Sequence, residues 1–177
     1  LIFLIIWEIH YIHRTFIFPF RLPGEKKDMP LLIILMAVFF NFGNTFFNGL
    51  QVFHFAPDYT ETWLRDPRFI TGVIIFLSGF VINQYADQVL FSLRKPGETG
   101  YKIPEGGIYK WISCPNYFGE LLEWTGWAVA TWSLAGFSFA LWTFANLVPR
   151  ALANHKWYSE QFAGYPKDRK AVIPFLL

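Results

Sequence analysis

The sequence predicts an all-α, polytopic bundle of transmembrane helices with five spans in this chain, and three observations carry that expectation. Of the 177 residues, 54% are hydrophobic and 21% aromatic, while only 16% are charged; soluble domains average about 25% charged residues. Five stretches approach the roughly 20 apolar residues that a bilayer crossing requires. The connections between them are rich in proline, glycine and charge, the punctuation of turns. Residues 1–177 therefore read as a single membrane-embedded domain. The net charge of +2 gives no argument for nucleic acid. The lone Cys114 excludes an internal disulfide and a multi-cysteine metal site.

The first span, residues 1–18, opens directly on LIFLIIWEI. This run lacks the basic start and small-residue cleavage site of a signal peptide. It reads as the later part of a membrane helix, with the natural protein beginning upstream. The span ends in HYIHRTF, where His10 and His13 are three apart and His10 and Arg14 four apart. A histidine pair at helical spacing can hold a metal, but no carboxylate or cysteine motif accompanies it, and no metal is expected. The phenol of Tyr11, set between imidazoles and an arginine, suits another task. It can donate a hydrogen bond to a carbonyl that gains negative charge during reaction.

The second span, 31–53, begins with LLIILMAVFF and carries Asn41, Asn44 and Asn48 on one helical face. In the third, 69–91, Asn83 and Asp87 are four apart, with Arg94 seven further on. The fourth, 115–132, places Asn116, Glu120 and Glu123 on one stripe. The fifth, 134–153, follows after a tight joint near Ser133 to Gly136, and its stripe of Arg150, Asn154 and Tyr158 continues into the tail. An unpaired amide or carboxylate in hydrocarbon costs several kcal/mol, of order 2–7 for an amide. These stripes must face each other, water or a ligand. For the asparagines, interhelical hydrogen bonding and a functional role stand side by side. For Asp87, Glu120 and Glu123 a functional role is expected, as for intramembrane ionisable residues generally. Glu120 is expected to face inward and to be hydrogen-bonded, with Leu121 and Leu122 turned away.

Lys and Arg in short loops set orientation. Arg21, Lys26 and Lys27 follow the first span, and Arg94, Lys95, Lys102 and Lys110 follow the third. The tail holds Arg150, Lys156, Lys167, Arg169 and Lys170, whereas the second loop has only Arg65 and Arg68 beside three acids. The first loop, the third loop and the C-terminal tail are thereby expected in the cytoplasm. The third loop, LRKPGETGYKIPEGG, has two prolines and four glycines but is not GxGxxG and lies in no βαβ pattern, so a Rossmann domain is not expected. Its cations, with Arg150, suit phosphates, and positive-inside topology accounts for them equally well.

Read together, HYIHRTF, NQYAD, LRKPGETGYKIPEGG, SCPNYFGELLEW and YPKDRKAVIPFLL resemble the steroid 5α-reductase family over nearly the whole chain. NLVPRALANHKWY resembles the plant brassinosteroid-pathway branch in particular, and the motifs are similar to the animal type 1 branch as well. SCPNY and IPFLL also occur in trans-2-enoyl-CoA reductases. The resemblance implies a seven-helix membrane fold, of which about two spans would precede Leu1. It implies NADPH bound among the helices from the cytoplasmic side. The implied cofactor contacts are Asn83, Asp87, Arg94, Tyr101, Asn116, Glu120, Arg150 and Tyr158. Lys102 stands where many relatives have Arg, which exchanges a fork for a single contact. Asn154 stands where animal relatives have His.

The resemblance also implies a chemistry. Hydride reaches the β-carbon of a 4-ene-3-one steroid, charge flows to the ketone oxygen, and the α-carbon is then protonated. Tyr11 matches the family residue that hydrogen-bonds the ketone. Its usual partner is a glutamate on an earlier helix, which this chain does not contain, so the isolated chain is expected to be inactive. The partners implied are a steroid or related lipid enone and membrane lipid, with the protein acting as a monomer. The implied location is the endoplasmic reticulum membrane in a eukaryote or the inner membrane in a bacterium. The alternatives are reduction of another lipid double bond, in a trans-2-enoyl-CoA or a polyprenol, and an isoprenylcysteine-type membrane methyltransferase. A lipid-binding scaffold is the non-enzymatic alternative.

Overall fold

The computed structural model of the chain describes residues 1–21, 28–55, 59–93, 98 and 100–177. Each of the five expected spans is a helix. The first is α1 (Ile2–Ile12), continued by a π-helical turn at His13–Ile17 and the short α2 (Phe18–Arg21). α3 (Leu31–Leu50) likewise runs into a π-helical turn at Gln51–Phe55. Then come α4 (Pro67–Ser92), α5 (Pro115–Thr131) and α6 (Leu134–Gln161). Two of these, Leu31–Phe55 and Pro67–Ser92, are long and apolar enough by themselves to cross a membrane. The others are shorter or more polar, with α5 at 17 residues.

The helix ends follow local chemistry. Asp66 caps α4 by accepting from the Arg68 amide at 2.8 Å, and Pro67 fills the first helical position, where no N–H is needed. The Arg68 guanidinium also holds the Asp66 carboxyl, which drops to about 2. α5 again starts on a proline, Pro115, and ends where Trp132 turns left-handed at φ 45°. Ser133 Oγ then accepts from the Gly136 amide at 3.0 Å and starts α6. This is the tight joint the sequence expects.

α4 and α5 form the centre of the bundle. Gly72 and Gly79 on α4 meet Gly126 and Gly119 on α5, so the backbones touch. A methyl on Gly79 would lie 2.5 Å from the Gly119 carbonyl and 2.6 Å from the Glu123 amide. Small residues of this kind permit close helix approach in membranes. Phe3 and Trp7 of α1, Phe69 and Phe76 of α4, Trp124 and Trp127 of α5 and Phe139 of α6 build one aromatic core. A second core joins α5 and α6 to the tail through Leu121, Leu147, Ala151 and Val172. The tail reaches the segment just before α5 by a parallel bridge between Ile112 and Lys170.

α3 shows what the solvent is. Its only buried residue is Asn48, while Phe39 is 81% and Phe42 72% exposed. A face of large apolar side chains turned outward, with Asn48 turned inward, is the arrangement lipid demands. The protein is an all-α membrane protein.

Candidate functional site

Five helical segments would bury more polar groups than hydrocarbon tolerates unless the stripes met. They meet around a cleft of about 790 Å³ between α1, α3, α5 and α6. From α1 it is lined by His10 and Tyr11, from the π-helical turn by Arg14, from α3 by Phe40 and Asn41, from α5 by Glu120 and Trp124, and from α6 by Asn146 and Arg150. Tyr11 stands just before the π-helical turn, a feature frequent at functional sites. Its hydroxyl donates to Asn41 Oδ1 and accepts from Asn44 Nδ2, each at 3.4 Å. Both contacts are long, so the phenol is held loosely enough to turn toward another acceptor.

His10 turns to α5. Its Nδ1 lies 2.7 Å from Glu123 Oε2, and the Glu123 side chain has no exposure. Edge-on contact with Trp124, at 4.7 Å between ring centres, fixes the imidazole plane. His13 turns elsewhere, accepting from Gln84 Nε2 at 3.0 Å with Nδ1. The two histidines therefore serve different partners.

The α4 and α5 stripes knit together beside the cleft. Asn83 Nδ2 donates to the Asn116 carbonyl at 2.9 Å, and Asn116 Nδ2 donates to Asp87 Oδ1 at 3.2 Å. Arg14 approaches the other Asp87 oxygen at 3.6 Å, and that oxygen has no hydrogen-bond partner among the described residues. On α3 the stripe divides: Asn48 accepts from the Trp127 indole at 2.8 Å and anchors the helix, while Asn41 and Asn44 attend Tyr11. All three asparagines of the stripe thus bond to side chains of other helices.

Glu120 departs from expectation. It lies on the cleft wall, half-buried, but has no hydrogen-bond partner among the described residues. Leu121 does not line the cleft; it is 2% exposed and packs into the core shared with α6 and the tail. The reason is that α5 is enclosed on several sides, by α4, α6 and the tail, so residues adjacent to its polar stripe are buried too.

The remaining candidates lie off the cleft wall. Asn154 Nδ2 sits 3.9 Å from Cys114 Sγ. Tyr158 stacks on Tyr165 at 5.5 Å, and Tyr101 meets Trp157 edge-on at 4.7 Å. Lys102 pairs with Glu98 at 2.5 Å. Arg94 falls outside the described residues. Sequence reasoning missed a further buried cluster, in which Ser113 Oγ lies 2.6 Å from both His155 Nδ1 and Tyr165 OH. Burial pushes the His155 imidazole below its ordinary value. The Tyr165 and His155 side chains are 52 and 42 residues from Ser113, and no spacing rule links them.

The fold and the cleft define a helical membrane protein with a polar cavity walled by apolar and aromatic side chains. The chain belongs to the 3-oxo-5-alpha-steroid 4-dehydrogenase family, whose model matches residues 27–177. It is 48% identical over 176 residues to 3-oxo-5-alpha-steroid 4-dehydrogenase 1 of Bos taurus, covering 99% of this chain and 68% of that protein. It is 48% identical over 171 residues to steroid 5-alpha-reductase DET2 of Gossypium hirsutum, covering 94% and 66%. With 3-oxo-5-alpha-steroid 4-dehydrogenase 1 of Homo sapiens the identity is 46% over 175 residues, covering 99% and 67%. The chain spans about two thirds of the length of these relatives.

Proposed function

We propose that the protein is an oxidoreductase that reduces the 4,5 double bond of 3-oxo-4-ene steroids with NADPH. The observation that carries this reading is Tyr11, a neutral donor on the wall of a cleft large enough for a lipid. The names of the relatives supply the substrate class. The residues fit a nicotinamide cofactor in their chemistry. Arg14 and Arg150 line the cleft as cations for phosphates, while Glu120 and the unpartnered Asp87 oxygen offer acceptors for amide N–H groups. Asn83 and Asn116 set the Asp87 carboxylate in place, and Arg94, Tyr101, Lys102, Asn154 and Tyr158 complete the proposed cofactor set.

When bound, NADPH supplies a hydride for the enone β-carbon. Tyr11 donates a hydrogen bond to the ketone oxygen, and the bond strengthens as that oxygen gains charge, which favours the transition state over the ground state. Trp124, Phe139 and Trp142 exclude water from the ring system of the lipid. The protein works in the endoplasmic reticulum membrane of a eukaryote or the inner membrane of a bacterium, as a monomer with its C-terminal tail in the cytoplasm.

The test is NADPH oxidation by membranes carrying the full-length protein, extended by upstream helices to the length of its relatives, with and without added enone, and with mass analysis of the lipid. A 3-oxo-4-ene steroid that gains two hydrogens is the expected result. Oxidation only with a trans-2-enoyl-CoA or a polyprenol would move the protein to another lipid reductase. No oxidation with any enone would reject the reading.

A further inference from the structure

The reduction leaves one proton unassigned, the one that reaches the α-carbon. We infer that His10, backed by Glu123, is the group that delivers it; the inference rests on the proposed enone reduction. Three observations combine. His10 lines the same cleft as Tyr11, and the two rings touch, with centroids 5.3 Å apart. Its Nδ1 is taken by Glu123 Oε2 at 2.7 Å, which leaves Nε2 for a group in the cleft. Glu123 Oε1 is buried with no hydrogen-bond partner among the described residues.

A wholly buried carboxylate with one oxygen unsatisfied is costly unless a charge stands beside it. The group that stands beside it is His10 Nδ1, 2.7 Å from Oε2. The carboxylate also fixes the tautomer, since an ionised Glu123 can only accept and so keeps the hydrogen on Nδ1. Nε2 is then the nitrogen that gains and loses a proton, as in other carboxylate–histidine pairs. Edge-on contact with Trp124 restrains rotation of the ring. The other charged groups on the cleft wall are Arg14, Glu120 and Arg150. Arg14 is directed to Asp87, and guanidinium does not give up protons.

The step balances. As hydride forms the β-carbon C–H bond, the π pair shifts and the ketone becomes an enolate held by Tyr11. The Nε2–H bond of the imidazolium breaks, its electron pair stays on nitrogen, and a new C–H bond forms at the α-carbon. Neutral His10 then recovers a proton from water. In the reverse sense, neutral His10 removes an α-proton from the saturated ketone. Exchange of that hydrogen with solvent needs no hydride transfer.

This gives a test separate from reduction. The saturated 3-oxo steroid is incubated with the membrane protein and NADP⁺ in D₂O, and deuterium uptake at the α-carbon is read by mass spectrometry. Wild-type protein should incorporate deuterium, and His10→Gln should slow both exchange and reduction by about 10²–10⁴ while NADPH affinity is unchanged. Glu123→Gln keeps a hydrogen bond to Nδ1 but removes the charge, and should slow exchange as well. Exchange at the wild-type rate in either variant overturns the inference, as does loss in Glu120→Gln alone. Wild-type reduction without exchange also overturns it and leaves the proposed function standing. Absence of both reduction and exchange in the wild type removes both readings.

Discussion

Tyr11 can occupy a membrane interior because phenol stays neutral at pH 7, with a reference pKa of about 10. Tyr11→Phe retains the ring and removes only the donor. By analogy with the loss of one oxyanion donor, turnover should fall by about 10²–10³. NADPH affinity, measured by fluorescence titration, should stay the same because the hydroxyl lies against Asn41 and Asn44, outside the proposed cofactor set; unaltered turnover would make Tyr11 a packing residue. The residue itself was legible from HYIHRTF, as a phenol flanked by imidazoles and arginine. The partner of its neighbour was not. His10 and Glu123 are 113 positions apart, and only the crossing of α1 on α5 brings them to 2.7 Å. Glu120 and Glu123 looked equivalent as members of one stripe. The structure separates them, because Glu123 faces α1 and α4 and Glu120 faces the cleft.

At the scale of elements, the contact between α4 and α5 is the most exacting. Gly79→Ala would place a methyl 2.5 Å from the Gly119 carbonyl. Neither backbone can yield locally, so the helices must separate, at a cost of about 1–3 kcal/mol for such overpacking. Thermal unfolding in detergent should register the loss. Reduction should suffer too, since the same contact positions Glu123 and Asn83. The start of α4 responds to pH instead. Arg68 holds the Asp66 carboxyl at about 2, below the usual carboxylate range near 4. Its stabilising contribution is therefore full above about pH 4 and fades as pH falls toward 2. Hydrogen exchange at the first amides of α4 should accelerate over that window, and Asp66→Ala should remove the dependence. The α4 boundary was nearly legible, since Asp-Pro is both a cap and a helix start. The glycine contact was not, because nothing in one strand of sequence tells which glycines face a partner.

For the whole molecule, the tail decides whether the second core closes. His155 is held near Ser113 in a buried cluster, and burial lowers its pKa. A lowered histidine favours the folded state above its unfolded value near 6.5, and that preference is lost as pH falls below it. Protease resistance of residues 162–177 should therefore decline on acidification below about pH 6.5, and His155→Phe should flatten the response. Orientation is tested on the same segment. The proposed topology puts the tail in the cytoplasm, so a protease added to sealed vesicles whose cytoplasmic face is inward should leave it intact. Cleavage there would invert the proposed topology.

The sequence by itself determined the solvent, the helices and the polar stripes. Apolar run length and 3.6-residue periodicity are local properties, and lipid enforces them residue by residue, since every backbone group must be paired inside its own helix. The tertiary structure decided which polar groups meet. It divided the α3 asparagines between an anchor on Trp127 and contacts to Tyr11. It also joined His10 to Glu123, and packed Leu121 against α6 and the tail. Those outcomes depend on helix crossing and rotation, which are set by glycine contacts and aromatic packing between segments far apart in the chain. A periodic pattern records that a face is polar, but the partner of that face lies on another helix.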